Sequence, residues 1–296
     1  MNYFEIASRY AGSMMRGEPA LLKELRETTA RELRYDDMLS GPVVGSFLNM
    51  LVRISGARSV LEIGTFTGYA TLWMAAALPQ DGKLVTCETN EKYARIARRF
   101  IERFRHEAAG QTHGQKAPGQ THGHKSAGQT HGQKAPGQTS GMVNTAKSDL
   151  AHRGSDIFSP GQRKGPEIRL CMGPALETPW PDQVDFVFLD ADKEHYPDYY
   201  QRIMPRLASG GLLVVDNAFW GGKVWGSESL AEMPDASVAK VSEAYDDEQK
   251  TRGRVVPADR QAAAIDRLNR VIADDAHVEN VVLTVRDGLH LVRKIR

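Results

Sequence analysis

From residue 58 onward, short apolar runs alternate with amphipathic ones, and this alternation restricts the possible fold more than any other feature of the chain. RSVLEI (58–63), KLVTCE (83–88), EIRLCM (167–172), VDFVFL (184–189) and GLLVVD (211–216) read as strands. Between them, YATLWMAAAL (69–78), EKYARIARRFIERF (91–104), the stretch around YYQRIMPRL (199–207) and RQAAAIDRLNRVIA (260–273) carry helical periodicity. Apolar strands alternating with helices imply an α/β fold with a parallel, doubly wound sheet covered on both faces. VENVVLTV-RDG-LHLVRKI (278–295) alternates around a glycine-containing turn and reads as a hairpin, which requires one antiparallel strand. LLKELRETTAREL (21–33) and VVGSFLNMLVRI (43–54) add helices upstream. The expected arrangement is a single domain over 1–296, with N-terminal helices in 1–56 and the sheet core in 57–296.

Two segments break the alternation. Residues 110–139 repeat a nine-residue unit, GQTHGQKAP-GQTHGHKSA-GQTHGQKAP-GQT, with almost nothing apolar. Such a segment buries too little surface to offset the entropy of ordering, so an interruption over 108–165 is expected to be a disordered insertion. The spacing of His113, His122, His124 and His131 matches no closed zinc site. The polar stretch 226–259 follows the fifth strand, where a long connection often serves as a lid or substrate loop.

With a net charge of +1, the chain has no general attraction for nucleic acid or anionic membrane, and neither is an expected partner. The N-terminus lacks a basic-then-apolar signal pattern and no run of about 18 apolar residues occurs, so the expected location is cytoplasmic. Cys87 and Cys171 both lie in apolar strands and read as buried thiols.

The strand ends carry the chemistry. In VLEIGTFTGYATLWM (60–74) the first strand ends at Glu62-Ile63-Gly64 and Gly68 opens a helix, a turn that lets backbone approach a ligand at the carboxyl edge of the sheet. The E-x-G-x-x-x-G pattern lacks the third glycine of the dinucleotide fingerprint. Glu88 ends the second strand, where a carboxylate can accept both hydroxyls of an adenosine ribose. The fourth and fifth strands end in Asp190 and in Asp216-Asn217, three hard oxygen donors delivered to one sheet edge, a set suited to Mg²⁺. Any one of them is equally a polar exit from the core. Lys193 beside such a cation can serve as a general base; without it, a surface lysine at a helix start is the simpler reading. Trp220, Trp225 and Tyr196 are candidate walls for a flat ring or ordinary core residues.

VLEIGTFTGYATLWMA, VFLDADKEHYPDYY, GGLLVVDNAFWGGKVW and RDGLHLVRK together resemble the cation-dependent O-methyltransferases that use S-adenosylmethionine, the group of the catechol and caffeoyl-CoA enzymes and their bacterial relatives. The resemblance covers about 20–104 and 166 to the end. It implies a class I methyltransferase, Rossmann-like, seven-stranded sheet whose last strand is antiparallel. It further implies metal ligation by Asp190, Asp216 and Asn217, with Mg²⁺ or else Mn²⁺ or Ca²⁺, and catalysis by Lys193 with Asp190. The methyl donor would be held by Met38, Glu62, Gly64, Phe66, Tyr69, Ala70, Glu88, Gly173, Ala175, Asp190 and Asp192. Lys193, Asn217 and Trp220 would meet the acceptor, a small vicinal dihydroxy aromatic of the catechol type, and a homodimer is expected. The insertion, the length of 226–259 and Trp225 depart from the compact bacterial pattern. The rival readings are an NAD-dependent oxidoreductase on a similar sheet and a non-catalytic cofactor-binding or assembly protein.

Overall fold

The computed structural model of the chain describes residues 3–15, 17–33, 38–109, 165–224 and 260–295. Strands β1 (Ser59–Ile63), β2 (Lys83–Glu88), β3 (Glu167–Met172), β4 (Val184–Leu189), β5 (Leu207–Asp216), β6 (Val278–Leu283) and β7 (Leu289–Lys294) form one seven-stranded sheet in the order β3-β2-β1-β4-β5-β7-β6. The pairings from β3 through β5 are parallel, and β7 runs antiparallel to both β5 and β6. The helices are α1 (Tyr3–Met14), α2 (Ala20–Glu32), α3 (Gly41–Ser55), α4 (Tyr69–Ala75), α5 (Glu91–Ala108), α6 (Tyr196–Ile203) and α7 (Arg260–Asp274). This is the class I methyltransferase-type, Rossmann-like sheet with its last strand antiparallel.

The period-two alternation of the strands sorts their side chains into two cores. Val60, Phe186, Phe188 and Val214 pack with Leu22 of α2, Leu48 of α3, Leu72 of α4 and Phe100 of α5. Leu61, Ile63, Val187, Leu189 and Val215 pack with Tyr200 and Ile203 of α6 and Ile265 and Leu268 of α7. From β1 the chain winds outward to β2 and β3, then returns to β4 and winds the other way. The carboxyl ends of β1 and β4 therefore flank the switch point, where open α/β sheets bind ligands.

Some boundaries differ from the sequence expectation. α6 stops at Ile203, before Pro205, which cannot continue a helix, rather than running to 207. β5 starts at Leu207 rather than 211, because the register shifts between Val184 and Phe186 and Gly210, at φ 78°, carries the irregularity. α4 ends as a regular helix at Ala75 instead of 78. α5 continues to Ala108, held where Arg105 donates to the Ile168 carbonyl at 2.6 Å. The repeat 110–139, the loop 226–259 and Trp225 lie outside the described residues. The described flanks of the insertion adjoin each other: a Cβ built on Gly165 would stand 3.0 Å from the Ala108 Cβ. No described helix is long and apolar enough to cross a membrane.

Opposite Val215 in the sheet, β7 buries His290, with Nδ1 3.0 Å from Asn269 Oδ1 and Nε2 3.1 Å from Asn280 Oδ1. Burial lowers its pKa to about 4, so the folded chain holds it neutral while an unfolded chain protonates it near pH 6.5. The unfolded state therefore binds more protons between these values, and stability is lost as pH falls from 6.5 toward 4. The expected loss is on the order of 2 kcal/mol, since the amide partners offset part of the desolvation. The stability difference between the wild type and His290→Gln, read from urea midpoints, should be constant above pH 6.5 and shift against the wild type as pH falls from 6.5 toward 4; a difference independent of pH would remove this assignment.

Candidate functional site

A cavity of about 590 Å³ opens at the carboxyl edge of the sheet and joins the ends of β1 through β5 with the β6–β7 turn. That volume lies within the range of small-molecule sites. At the β1 exit, Gly64 adopts φ 103°, and a Cβ there would come within 2.0 Å of the Asp190 carbonyl oxygen, so only glycine fits beside β4. Its N–H and that of Thr65 donate to the Cys87 carbonyl at 3.2 and 3.0 Å. Phe66 follows, its ring edge-on to Tyr93 with centroids 4.7 Å apart.

Glu88 lies at the end of β2, nearly buried, and accepts backbone N–H groups from Phe66 at 2.7 Å, Thr89 at 3.0 Å and Asn90 at 2.8 Å. Burial raises its pKa against the lowering effect of those donors. At the β3 exit, Gly173 and Ala175 line the cavity, and Arg202 of α6 donates to the carbonyls of Ala175 and Thr178, both at 2.9 Å. Met38 sits exposed on the rim with Leu39 and Ser40.

The opposite half of the cavity is built by β4 and β5. Register pairing of Leu189 with Val215 brings Asp190 and Asp216 side by side. Asp216 is buried; desolvation first, and then the charge of Asp190, raise its pKa. Such a pair is relieved by a proton or a cation between the carboxylates. Asn217 follows at φ 63°, its N–H donating to Asp216 Oδ1 at 2.7 Å and its Nδ2 to Asp287 Oδ2 at 3.0 Å, which leaves the amide oxygen without a hydrogen-bond partner among the described residues. Two carboxylates and an amide oxygen form a hard, incomplete donor set of the kind that holds Mg²⁺ or Mn²⁺ with positions left over.

Lys193 is buried rather than a surface lysine, with 7% of it exposed. Its Nζ donates to Asp190 Oδ1 at 2.7 Å and to Tyr196 Oη at 2.6 Å, and lies 6.0 Å from the centre of the Trp220 ring. Asp192, exposed on the cavity edge, accepts from Tyr199 Oη at 2.6 Å and pairs with His195.

Some candidates fall elsewhere. Tyr196 is no wall: it is fully buried, its hydroxyl reaching Lys193 and the carbonyls of Leu189 and Asp216. Glu62 does not line the cavity but is buried beneath it, where Thr71 and Thr86 donate to its Oε2 and Oε1 has no hydrogen-bond partner among the described residues. Burial raises its pKa to about 8, so at neutral pH it is mostly protonated. Tyr69 and Ala70 line a narrow recess beside the cavity, with Tyr69 Oη donating to Glu18 at 2.5 Å.

Phe66, Asn217, Trp220 and Arg286 are the described residues other than glycine with positive φ, and all four line this cavity. Backbone strain concentrated in one place is a mark of a functional site. The first three are legible as site candidates in the sequence, whereas Arg286 and its neighbour Asp287 are not. Their only local signal is the RDG turn, which says nothing of where the turn docks. In the fold it reaches back to the rim: Arg286 donates to the carbonyls of Leu39 and Ser40.

The O-methyltransferase family model matches residues 12–113 and 168–295, leaving the repeat largely outside the match. A caffeoyl-CoA O-methyltransferase of Petroselinum crispum is 29% identical over 278 residues, 94% of this chain and 85% of that protein. A flavonoid 3',5'-methyltransferase of Vitis vinifera is 28% identical over 275 residues, 93% and 86% of the two chains. Among solved structures, an O-methyltransferase from Bacillus cereus in complex with SAH has a TM-score of 0.61 at 23% identity, covering 98% of this chain and 97% of that one. The O-methyltransferase TomG from Streptomyces achromogenes, in complex with SAM, has a TM-score of 0.63 at 22% identity with both chains fully covered. The family match spans both halves of the sheet and every strand end that builds the cavity, and the chain belongs to the O-methyltransferase family.

Proposed function

We propose that this O-methyltransferase uses S-adenosylmethionine and a divalent cation to methylate one hydroxyl of a vicinal dihydroxy aromatic. The observation that carries the reading is the continuity of the cavity. Gly64, Glu88 and Gly173 line the part of it at the ends of β1 to β3, and Asp190, Asp216, Asn217 and Lys193 line the part at the ends of β4 and β5. The relatives named for caffeoyl-CoA and flavonoid methylation make hydroxylated aromatics the first acceptors to try.

In this reading Glu88 accepts the ribose hydroxyls, and the glycines at 64 and 173 admit the cofactor close to the backbone. Asp190, Asp216 and Asn217 would hold the cation, which when bound supplies a Lewis acid for two adjacent acceptor oxygens. Lys193 takes the proton of the reacting hydroxyl. Its amine is fixed by Asp190 and Tyr196, so it meets that hydroxyl in one orientation. Trp220, half-buried next to Lys193, gives the ring a face to lie on. Fixing the oxygen for in-line transfer and neutralising its charge account for the rate, with no covalent enzyme intermediate.

The test is release of S-adenosylhomocysteine from the full chain with catechol-type acceptors such as caffeic acid, with Mg²⁺ and with excess chelator. Release with Mg²⁺ that stops in chelator is expected. Equal rates in both would remove the cation from the reading, and failure to bind S-adenosylmethionine in a titration would remove the cofactor.

A further inference from the structure

We propose that Asp287, in the turn between β6 and β7, is a positioning residue that aims the Asn217 amide oxygen at the divalent cation. This rests on the metal reading above. Asp287 Oδ2 accepts from Asn217 Nδ2 at 3.0 Å, and Asp287 Oδ1 accepts from the Gly221 N–H at 2.6 Å. A carboxylate only accepts, so the nitrogen end of the Asn217 amide has to face it. The planar amide then directs its oxygen away from Asp287, and that oxygen has no hydrogen-bond partner among the described residues. Were position 287 neutral and able to donate, either end of the amide could face it, and the oxygen would be presented only part of the time.

The fold holds this pair rigidly. Asp216 pairs with Leu289 across the antiparallel β5–β7 ladder. Beyond the ladder, the Ala218 and Phe219 N–H groups donate to the Gly288 and Asp287 carbonyls at 3.0 and 2.9 Å. Gly288, at φ 84°, lies so close to Phe219 that a Cβ would meet its ring at 2.7 Å. Asp287 is thus docked on the β5 exit by its backbone, and its carboxylate is left to orient Asn217 and the turn that carries Trp220. Groups that orient a metal ligand from behind in this way typically change metal affinity about 10- to 100-fold when removed.

The experiment is Mn²⁺ binding, followed by electron paramagnetic resonance, in the full chain and in Asp287→Asn, Asp287→Ala, Asn217→Ala and the Asn217→Ala/Asp287→Ala double variant. Asp287→Ala should bind Mn²⁺ about 10- to 100-fold more weakly and Asp287→Asn about two- to fivefold more weakly, since an amide at 287 still accepts from Asn217 part of the time, while S-adenosylmethionine affinity stays within about twofold. In the Asn217→Ala background, removing Asp287 should change Mn²⁺ affinity no further, because the residue acts through Asn217. Asp287 variants that bind Mn²⁺ like the wild type would overturn the proposal, as would an equal loss in the Asn217→Ala background, which a packing role would give. If the alanine variant fails to fold, the near-isosteric Asp287→Asn variant carries the same comparison. A wild type that does not bind Mn²⁺ removes the metal reading itself and this inference with it, an outcome distinct from binding that ignores Asp287.

Discussion

Asp216→Ala should lose about 10³-fold or more in turnover while melting no lower than the wild type. The two halves of this expectation have one cause. Asp216 is buried against Asp190, and both burial and that neighbouring charge raise its pKa. An acid whose folded pKa lies above its unfolded value is held less favourably in the fold once it ionises, so at neutral and higher pH it detracts from stability. Apart from the one backbone hydrogen bond it accepts from Asn217, the fold gives little reason for an aspartate at this position. A cation between Asp190 and Asp216 does, because it reverses the sign of their interaction. Deleting Asp216 removes the repulsion along with one of the two charges that could hold the cation, so stability is kept or gained while turnover collapses. Added Mg²⁺ should raise the melting temperature of the wild type, since binding to the folded state alone stabilises it, and should not do so in the variant. A variant that keeps a large share of wild-type turnover would break the link between this carboxylate and the chemistry. One that loses activity only because it melts early would make Asp216 a structural residue.

The same strand ends explain what is legible in the sequence. β2, β3 and β4 begin and end in the fold where their sequences begin and end as apolar runs. A parallel strand covered on both faces has to be continuously apolar, and its exit from the core is marked by the first polar residue. Glu88 and Asp190 are the exits of β2 and β4 and Asp216 is that of β5, so the edge they share can be read from periodicity alone. β5 reads short because Ala208-Ser209-Gly210-Gly211 resembles a break, and only its pairing with β4 turns it into an irregular strand start. Tyr196 escapes a sequence reading for another reason. An aromatic near a site can line it or support it, and which it does depends on the direction α6 leaves the Lys193 turn. The burial of Lys193 itself comes from contacts with Tyr196 and Trp220, both beyond it in the chain but fixed only in three dimensions. Asp287 and Arg286 are invisible because their role follows from the reversed direction of β7, which folds the RDG turn back over the end of β5. Local sequence encodes that a turn exists, not what it docks against.

Lys193 allows the base and the cation site to be separated. Lys193→Met should lower turnover by about 10²–10⁴-fold at neutral pH, the usual reach of general-base catalysis, with little change in S-adenosylmethionine affinity. Lys193→Arg should fall nearly as far. A guanidinium keeps the positive charge next to Asp190 but does not give up its proton in the accessible pH range. If the arginine variant instead works almost as well as the wild type, Lys193 contributes charge and not proton transfer. Metal affinity should move the other way. Nζ donates to Asp190 Oδ1, so the amine competes with a cation for the same carboxylate. Removing it in Lys193→Met leaves Asp190 and Asp216 with less compensating charge, and Mn²⁺ should bind at least as tightly as in the wild type. Loss of turnover with retained or tighter metal binding is the signature of a base standing beside the cation site. Loss of both together would mean that Lys193 holds the Asp190 carboxylate in place and that the proton leaves by another route.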